Sequence, residues 1–125
     1  TNLQDASIAF DVGTPQGGGN QITFVYMRYS SHQNSYKTIL QRGGQPHFEI
    51  QGSGPVLYTQ NGALAAGRYE FSVVGNNLRF RNVTAGTPID VTVFDFTLSA
   101  PGRAGFGANE ETIAIDNVVL TNIAP

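Results

Sequence analysis

The residues of this chain with chemistry to offer are tyrosines, cations and carboxylates spaced along strand-like runs. Tyr26, Tyr29, Tyr36 and Tyr58 supply aromatic rings, and Arg28, Lys37, Arg42, His47, Glu49, Arg79 and Arg81 supply polar heads. Flat rings stack on the C–H side of a sugar, and planar or charged groups read its hydroxyl pairs by hydrogen bonds. Tyr26, Arg28, Tyr36, Lys37, His47, Glu49, Arg79 and Arg81 are the residues that could serve such contacts if the ligand is a sugar. Each has a plainer reading. Phe24, Phe48, Phe71 and Phe80 are expected to pack the core, and Tyr26 could join them. In a regular strand Arg28 shares a face with Phe24 and Tyr26, as a ligand clamp or as the partner of a buried carboxylate. Arg79 and Arg81 point the same way from one strand, a solvated pair unless the ligand is anionic.

Catalytic constellations are sparse. Nine carboxylates could supply a glycosidase pair, but such a pair needs a set separation across a cleft. No Ser-His-acid arrangement is visible, and cysteine is absent. The glycine-rich stretch Gly13 to Gly19 is not followed by Gly-Lys-Ser/Thr and reads as a strand connection. His32 and His47 lack metal-ligand spacing. A non-catalytic role is expected.

Composition narrows the partners. A net charge of −2, with 13% charged residues, gives no basic stripe for nucleic acid. No apolar run approaches the ~20 residues that span a bilayer. The polar opening Thr1-Asn2-Leu3-Gln4-Asp5 is not a leader, so a mature or excised domain is expected, and the many Asn, Gln, Ser, Thr and Gly beside a single lysine fit a secreted module. Asn82-Val83-Thr84 is a formal glycosylation sequon.

The elements that must carry these residues are short strands. Alternation and turn residues place them at Ala6–Val12, Gln21–Tyr29, Tyr36–Gln41, His47–Gln51, Val56–Tyr58, Tyr69–Val74, Leu78–Asn82, Ile89–Leu98, Ala104–Gly107 and Thr112–Leu120. Gly75-Asn76-Asn77 makes a hairpin of the sixth and seventh. The last run, TIAIDNVVL, is apolar and β-branched at almost every position, which predicts the middle of a sheet with the other strands packed around it. Asp116 inside it must be paired, hydrogen-bonded or metal-bound. With about ten strands and no amphipathic helix, 125 residues predict one all-β sandwich or barrel domain.

Three segments resemble the concanavalin-like or laminin-G-like jelly-roll modules attached to bacterial polysaccharide-degrading enzymes. They are Phe24-Val25-Tyr26-Met27-Arg28-Tyr29 with Asn34-Ser35-Tyr36, the hairpin Ala66 to Phe80, and Gly102-Arg103-Ala104-Gly105-Phe106-Gly107 with Ile115-Asp116-Asn117-Val118. Family 66 carbohydrate-binding modules are the nearest named relatives. The chain departs from the pattern in lacking the usual first strand and any tryptophan. The resemblance implies a two-sheet antiparallel jelly-roll β-sandwich that binds a polysaccharide or oligosaccharide, as a monomer tethered to a catalytic domain. It also implies a structural Ca²⁺ on Asp116, with Asp5 or Asp11 adding an oxygen; the alternative is that Asp116 caps backbone amides. The competing expectations are a structural or adhesive domain of a cell-surface protein, and a small polysaccharide lyase or hydrolase.

Overall fold

The computed structural model describes residues 3–13, 21–43, 45–62, 64–84, 89–110 and 113–123. The expected glycine-rich connection lies outside them from residue 14 on, as do residues 85–88 of the loop expected after Thr84. Among the described residues the regular structure is all strand: β1 Ala6–Val12, β2 Gln21–Ser31, β3 Asn34–Arg42, β4 His47–Gln51, β5 Val56–Asn61, β6 Gly67–Val74, β7 Asn77–Asn82, β8 Asp90–Phe94, β9 Arg103–Glu110 and β10 Ile115–Asn122. They form two antiparallel five-stranded sheets. The first runs β10-β1-β6-β7-β8 and the second β5-β4-β3-β2-β9. The chain is an all-β sandwich of jelly-roll type.

Alternation decides what each sheet buries. The first sheet turns Ile8, Phe10, Val12, Tyr69, Phe71, Val73, Leu78 and Phe80 inward, and the second turns Val25, Met27, Tyr36, Leu40, Phe48 and Ile50. Rings meet across the gap: Phe48 and Phe80 at 5.0 Å, and Phe10 edge-on to Phe106 at 5.4 Å. Burying each such side chain stabilises the fold by roughly 1.5–3 kcal/mol. Val74 pairs with Asn77 around the two-residue turn Gly75-Asn76, and the positive φ of 59° at Gly75 suits a residue without Cβ.

Two expectations fail in instructive ways. The apolar final run does not sit in the middle of a sheet. Among the described residues β10 is an edge strand paired with β1 alone, and Val118, Val119 and Leu120 are about half exposed. Apolarity on both faces fits a strand covered on both sides, but these three consecutive residues, which alternate between the two faces, are all exposed. The eighth strand also stops at Phe94 rather than Leu98. Asp95 leaves the ladder and is buried, where its Oδ1 accepts hydrogen bonds from the Tyr36 hydroxyl at 3.1 Å and the Thr97 amide at 2.7 Å.

Candidate functional site

The outer face of the second sheet carries the most chemistry. Ladder register arranges its side chains in rungs, with neighbouring strands about 4.8 Å apart. One rung runs Gly105, Tyr26, Lys37, Gln51 across β9, β2, β3 and β4. The next runs Gly107, Phe24, Ile39, Glu49, Thr59. The third carries Ile22, Gln41, His47 and Asn61. Tyr26, Lys37, His47 and Glu49, four of the candidate residues, thus share one face.

Aromatic rings form one side of this face. Tyr26 stacks on Phe24 at 5.8 Å and meets Tyr29 edge-on at 4.8 Å. His32 leans in from the β2–β3 turn, 5.2 Å from the Phe24 ring, and its Nδ1 shares a 2.7 Å hydrogen bond with the Tyr26 hydroxyl. Phe24 was expected in the core. It is instead partly exposed on this outer face, because Thr23 and Val25 take the inward positions. Burial, then the neighbouring Tyr29, raises the Tyr26 hydroxyl above its ordinary pKa, so the ring stays neutral at physiological pH.

β9 makes room beside those rings. A Cβ on Gly107 would stand 2.9 Å from Tyr26 Cε2, so glycine there lets the ring lie down toward the strand. At Gly105 a Cβ would meet nothing within 4 Å. The result is a groove of about 350 Å³ lined by Tyr26, Tyr29, Arg103, Gly105 and Gly107. It continues past Tyr29 and Arg103 toward Ser30 and Pro101. Sequence reasoning missed Arg103 as a site residue. The signal was available: Arg103-x-Gly105-x-Gly107 alternates with period two, which puts an arginine and two bare positions on one face of a strand.

Beyond Lys37 the face becomes polar. Glu49 accepts from Gln51 Nε2 at 3.0 Å, and its other oxygen lies 3.1 Å from His47 Nε2. His47 Nδ1 is fixed in turn against the Gln45 carbonyl at 2.7 Å. This row holds planar hydrogen-bonding groups in set orientations next to the aromatic patch.

The other candidate residues lie elsewhere. Arg28 does not share the face of Tyr26, because the strand is not regular there. A β-bulge slips the register of β2 against both β3 and β9, Arg28 takes a φ of 50°, and Met27 and Arg28 both turn inward. Its guanidinium donates to the carbonyls of Gln4 at 2.8 Å, Leu98 at 2.7 Å and Gly75 at 2.9 Å, and to Asp5 Oδ1 at 3.1 Å. Arg28 is thus the partner of a carboxylate and a pin for three loops, not a ligand clamp. Tyr36 is fully buried and its hydroxyl is held by Asp95 and Leu98, so it offers no ring to a ligand. Neither lies on the candidate face.

Arg79 and Arg81 lie on the first sheet, with the carboxylates of the neighbouring strands. Arg79 grips Asp90 through two hydrogen bonds of 2.8 and 2.7 Å, which raises the arginine's pKa and lowers that of Asp90. Arg81 donates to Glu70 at 3.0 Å. They are cross-strand ion pairs on the opposite side of the sandwich from Tyr26.

The expected calcium pair does not assemble. The Asp5 carbonyl accepts from the Ile123 amide at one end of the β1–β10 ladder, while Asp116 pairs with Asp11 at the other. Six residues of extended chain separate the ends by about 20 Å, so one ion cannot touch both carboxylates. Asp116 Oδ1 instead accepts from the Asn117 amide at 2.8 Å, where Asn117 adopts a φ of 51° beside a second register slip. The nearest carboxylate on β1, Asp11, is taken up by Arg68 and the Asn117 side chain. Asp5 and Asp116 therefore do not share a cation.

A second cavity, about 240 Å³, opens at one end of the sandwich between Phe48, Gln60, Leu64, Tyr69 and Asn82. It has no charged lining group, and the rings of Phe48 and Tyr69 are buried in the core. Compared with known families and with curated proteins, the chain matches no family model and no curated sequence.

Proposed function

We propose that this chain is a non-catalytic carbohydrate-binding module whose contact surface is the outer face of the second sheet, centred on Tyr26 and Tyr29. One observation carries the reading. Two partly exposed tyrosines stand edge to face beside a groove that Gly105 and Gly107 keep open, and a row of planar polar groups continues from it. Such a surface takes the apolar side of a pyranose or furanose ring on tyrosine and its hydroxyls on the polar row. Binding of this kind is equilibrium capture. Its use to a secreted polysaccharide-active enzyme carrying the module would be a raised local concentration of substrate.

Affinity electrophoresis against a panel of neutral and anionic polysaccharides tests the reading. Retardation by at least one glycan is expected, lost in Tyr26→Ala while unfolding remains cooperative. Absence of retardation by every glycan would remove the proposal.

A second reading rests on a different feature. Val118, Val119 and Leu120 are exposed along the open edge of β10, and Phe94 and Phe96 are 65% and 75% exposed beside the opposite edge of the same sheet. Open apolar edges favour strand-to-strand contact, which fits a structural or adhesive domain of a cell-surface protein. Concentration-dependent association with no glycan binding would select it.

A further inference from the structure

The cations of this chain divide into two classes. Five of the seven Lys and Arg side chains are committed: Arg28 to Asp5 and three carbonyls, Arg42 to the Leu64 carbonyl, Arg68 to Asp11, Arg79 to Asp90 and Arg81 to Glu70. The side chains of Lys37 and Arg103 make no hydrogen bond or ion pair with any described residue. Both flank Tyr26 on the same outer face. Lys37 is directly across the ladder on one side, and Arg103 is one step beyond Gly105 on the other. Two strand spacings and one step along the strand place their Cα atoms about 12 Å apart.

Lys37 is the unusual one. Only 2% of its surface is exposed. A charged ammonium so buried, with nothing to pair it, is unfavourable. Among the described residues Thr38 Oγ1 is the one sealed polar side-chain atom without a partner, so the tip of Lys37 still reaches the surface. Its stem is buried, and only its end meets solvent. Carboxylates do not compensate it: Glu49, diagonal to Lys37, is engaged by His47 and Gln51.

Resting on the carbohydrate reading above, we propose that the ligand is an anionic saccharide. A carboxylate or sulfate group on a sugar stacked at Tyr26 would be held by Lys37 and Arg103. The face would then select charged glycans over their neutral counterparts, because a carboxylate or sulfate supplies the countercharge and the stronger hydrogen bonds that a neutral hydroxyl does not.

The test is calorimetry and affinity electrophoresis with polygalacturonate as the carboxylate probe, dextran sulfate as the sulfate probe and dextran as the neutral one. The expected result is binding to at least one anionic probe, none to dextran, and a loss of about tenfold or more in each of Lys37→Met and Arg103→Gln. Arg79→Gln, on the other sheet, should leave affinity unchanged. Arg103 is exposed, so its variant reports on binding even if Lys37→Met fails to fold. Equal binding of dextran, or anionic binding that survives both substitutions or falls equally in Arg79→Gln, overturns the charge assignment and leaves the carbohydrate reading standing. Binding of no probe, with none from the wider glycan panel, removes both.

Discussion

The Arg28 backbone occupies the space that a side chain at position 102 would need. A Cβ built on Gly102 would lie 2.4 Å from the Arg28 carbonyl carbon and 2.8 Å from its Cα. Gly102 also bridges to Leu3 through two backbone hydrogen bonds, Leu3 N to Gly102 O at 2.7 Å and the return bond at 3.0 Å. The bulge in β2 and the glycine before β9 are therefore one device. The bulge turns Arg28 inward, and the glycine lets the neighbouring backbone close over it. Gly102→Ala should cost about 1–3 kcal/mol, as overpacking does where backbone must move. Urea unfolding checks it, and an unchanged midpoint would show that the bulge can shift freely.

Arg28→Ala should cost more, about 3–5 kcal/mol, because Asp5 and three carbonyls lose a donor at once. Its glycan affinity, corrected for folded fraction, should match the parent chain. A selective loss of affinity in a fully folded variant would return Arg28 to the binding surface.

Gly105→Val separates groove from fold. Nothing lies within 4 Å of the added Cβ, and a β-branched residue suits a strand better than glycine. The variant should be as stable as the parent chain or up to about 1 kcal/mol more stable, yet lose glycan retardation because the floor beside Tyr26 is filled. Retained binding would move the site away from β9.

Lys37→Met should raise stability while it lowers affinity for anionic glycans. The substitution keeps the stem and removes a buried charge that no carboxylate pairs, and its desolvation cost goes with it. Thermal unfolding without ligand checks it. A lower Tm would mean that the ammonium has a structural partner.

Alkaline pH should destabilise the fold. Burial raises the Tyr36 and Tyr69 hydroxyls above their ordinary value of 10.0. The unfolded chain then loses those protons first, so stability present below pH 10.0 falls as the pH rises through the higher folded values. Burial lowers Lys37 below 10.5, which works in the opposite sense: the folded state sheds its proton first and gains stability over the window beneath 10.5. The expected free energy of unfolding decreases above pH 10, less steeply in Tyr69→Phe, while Lys37→Met lacks the gain beneath pH 10.5 and leaves the slope above it unchanged. A flat profile would show that these hydroxyls reach solvent.

Much of the fold was legible in the chain itself. The run HFEIQ predicted β4 to the residue, since Phe48 and Ile50 alternate with polar neighbours and Gly and Pro bound the run. The Gly75-Asn76 turn announced the β6–β7 hairpin, and the absence of any helical period fixed the class. The candidate face was half legible. Tyr26, Lys37, His47 and Glu49 could be named because each is a chemically capable residue on a strand of clear alternation.

Tertiary structure decided the rest, because side-chain direction depends on register and register is set by neighbours. One extra residue at Arg28 reverses its side, and no local pattern marks that bulge. TIAIDNVVL has the composition of a central strand, yet the ladder places it at an edge beside β1 alone, which its own residues do not encode. Whether a cation is committed or unpaired depends on which carboxylate another strand brings beside it. Sequence determined the kinds of strand and the groups they carry. Packing alone set Lys37 and Arg103 on either side of one tyrosine.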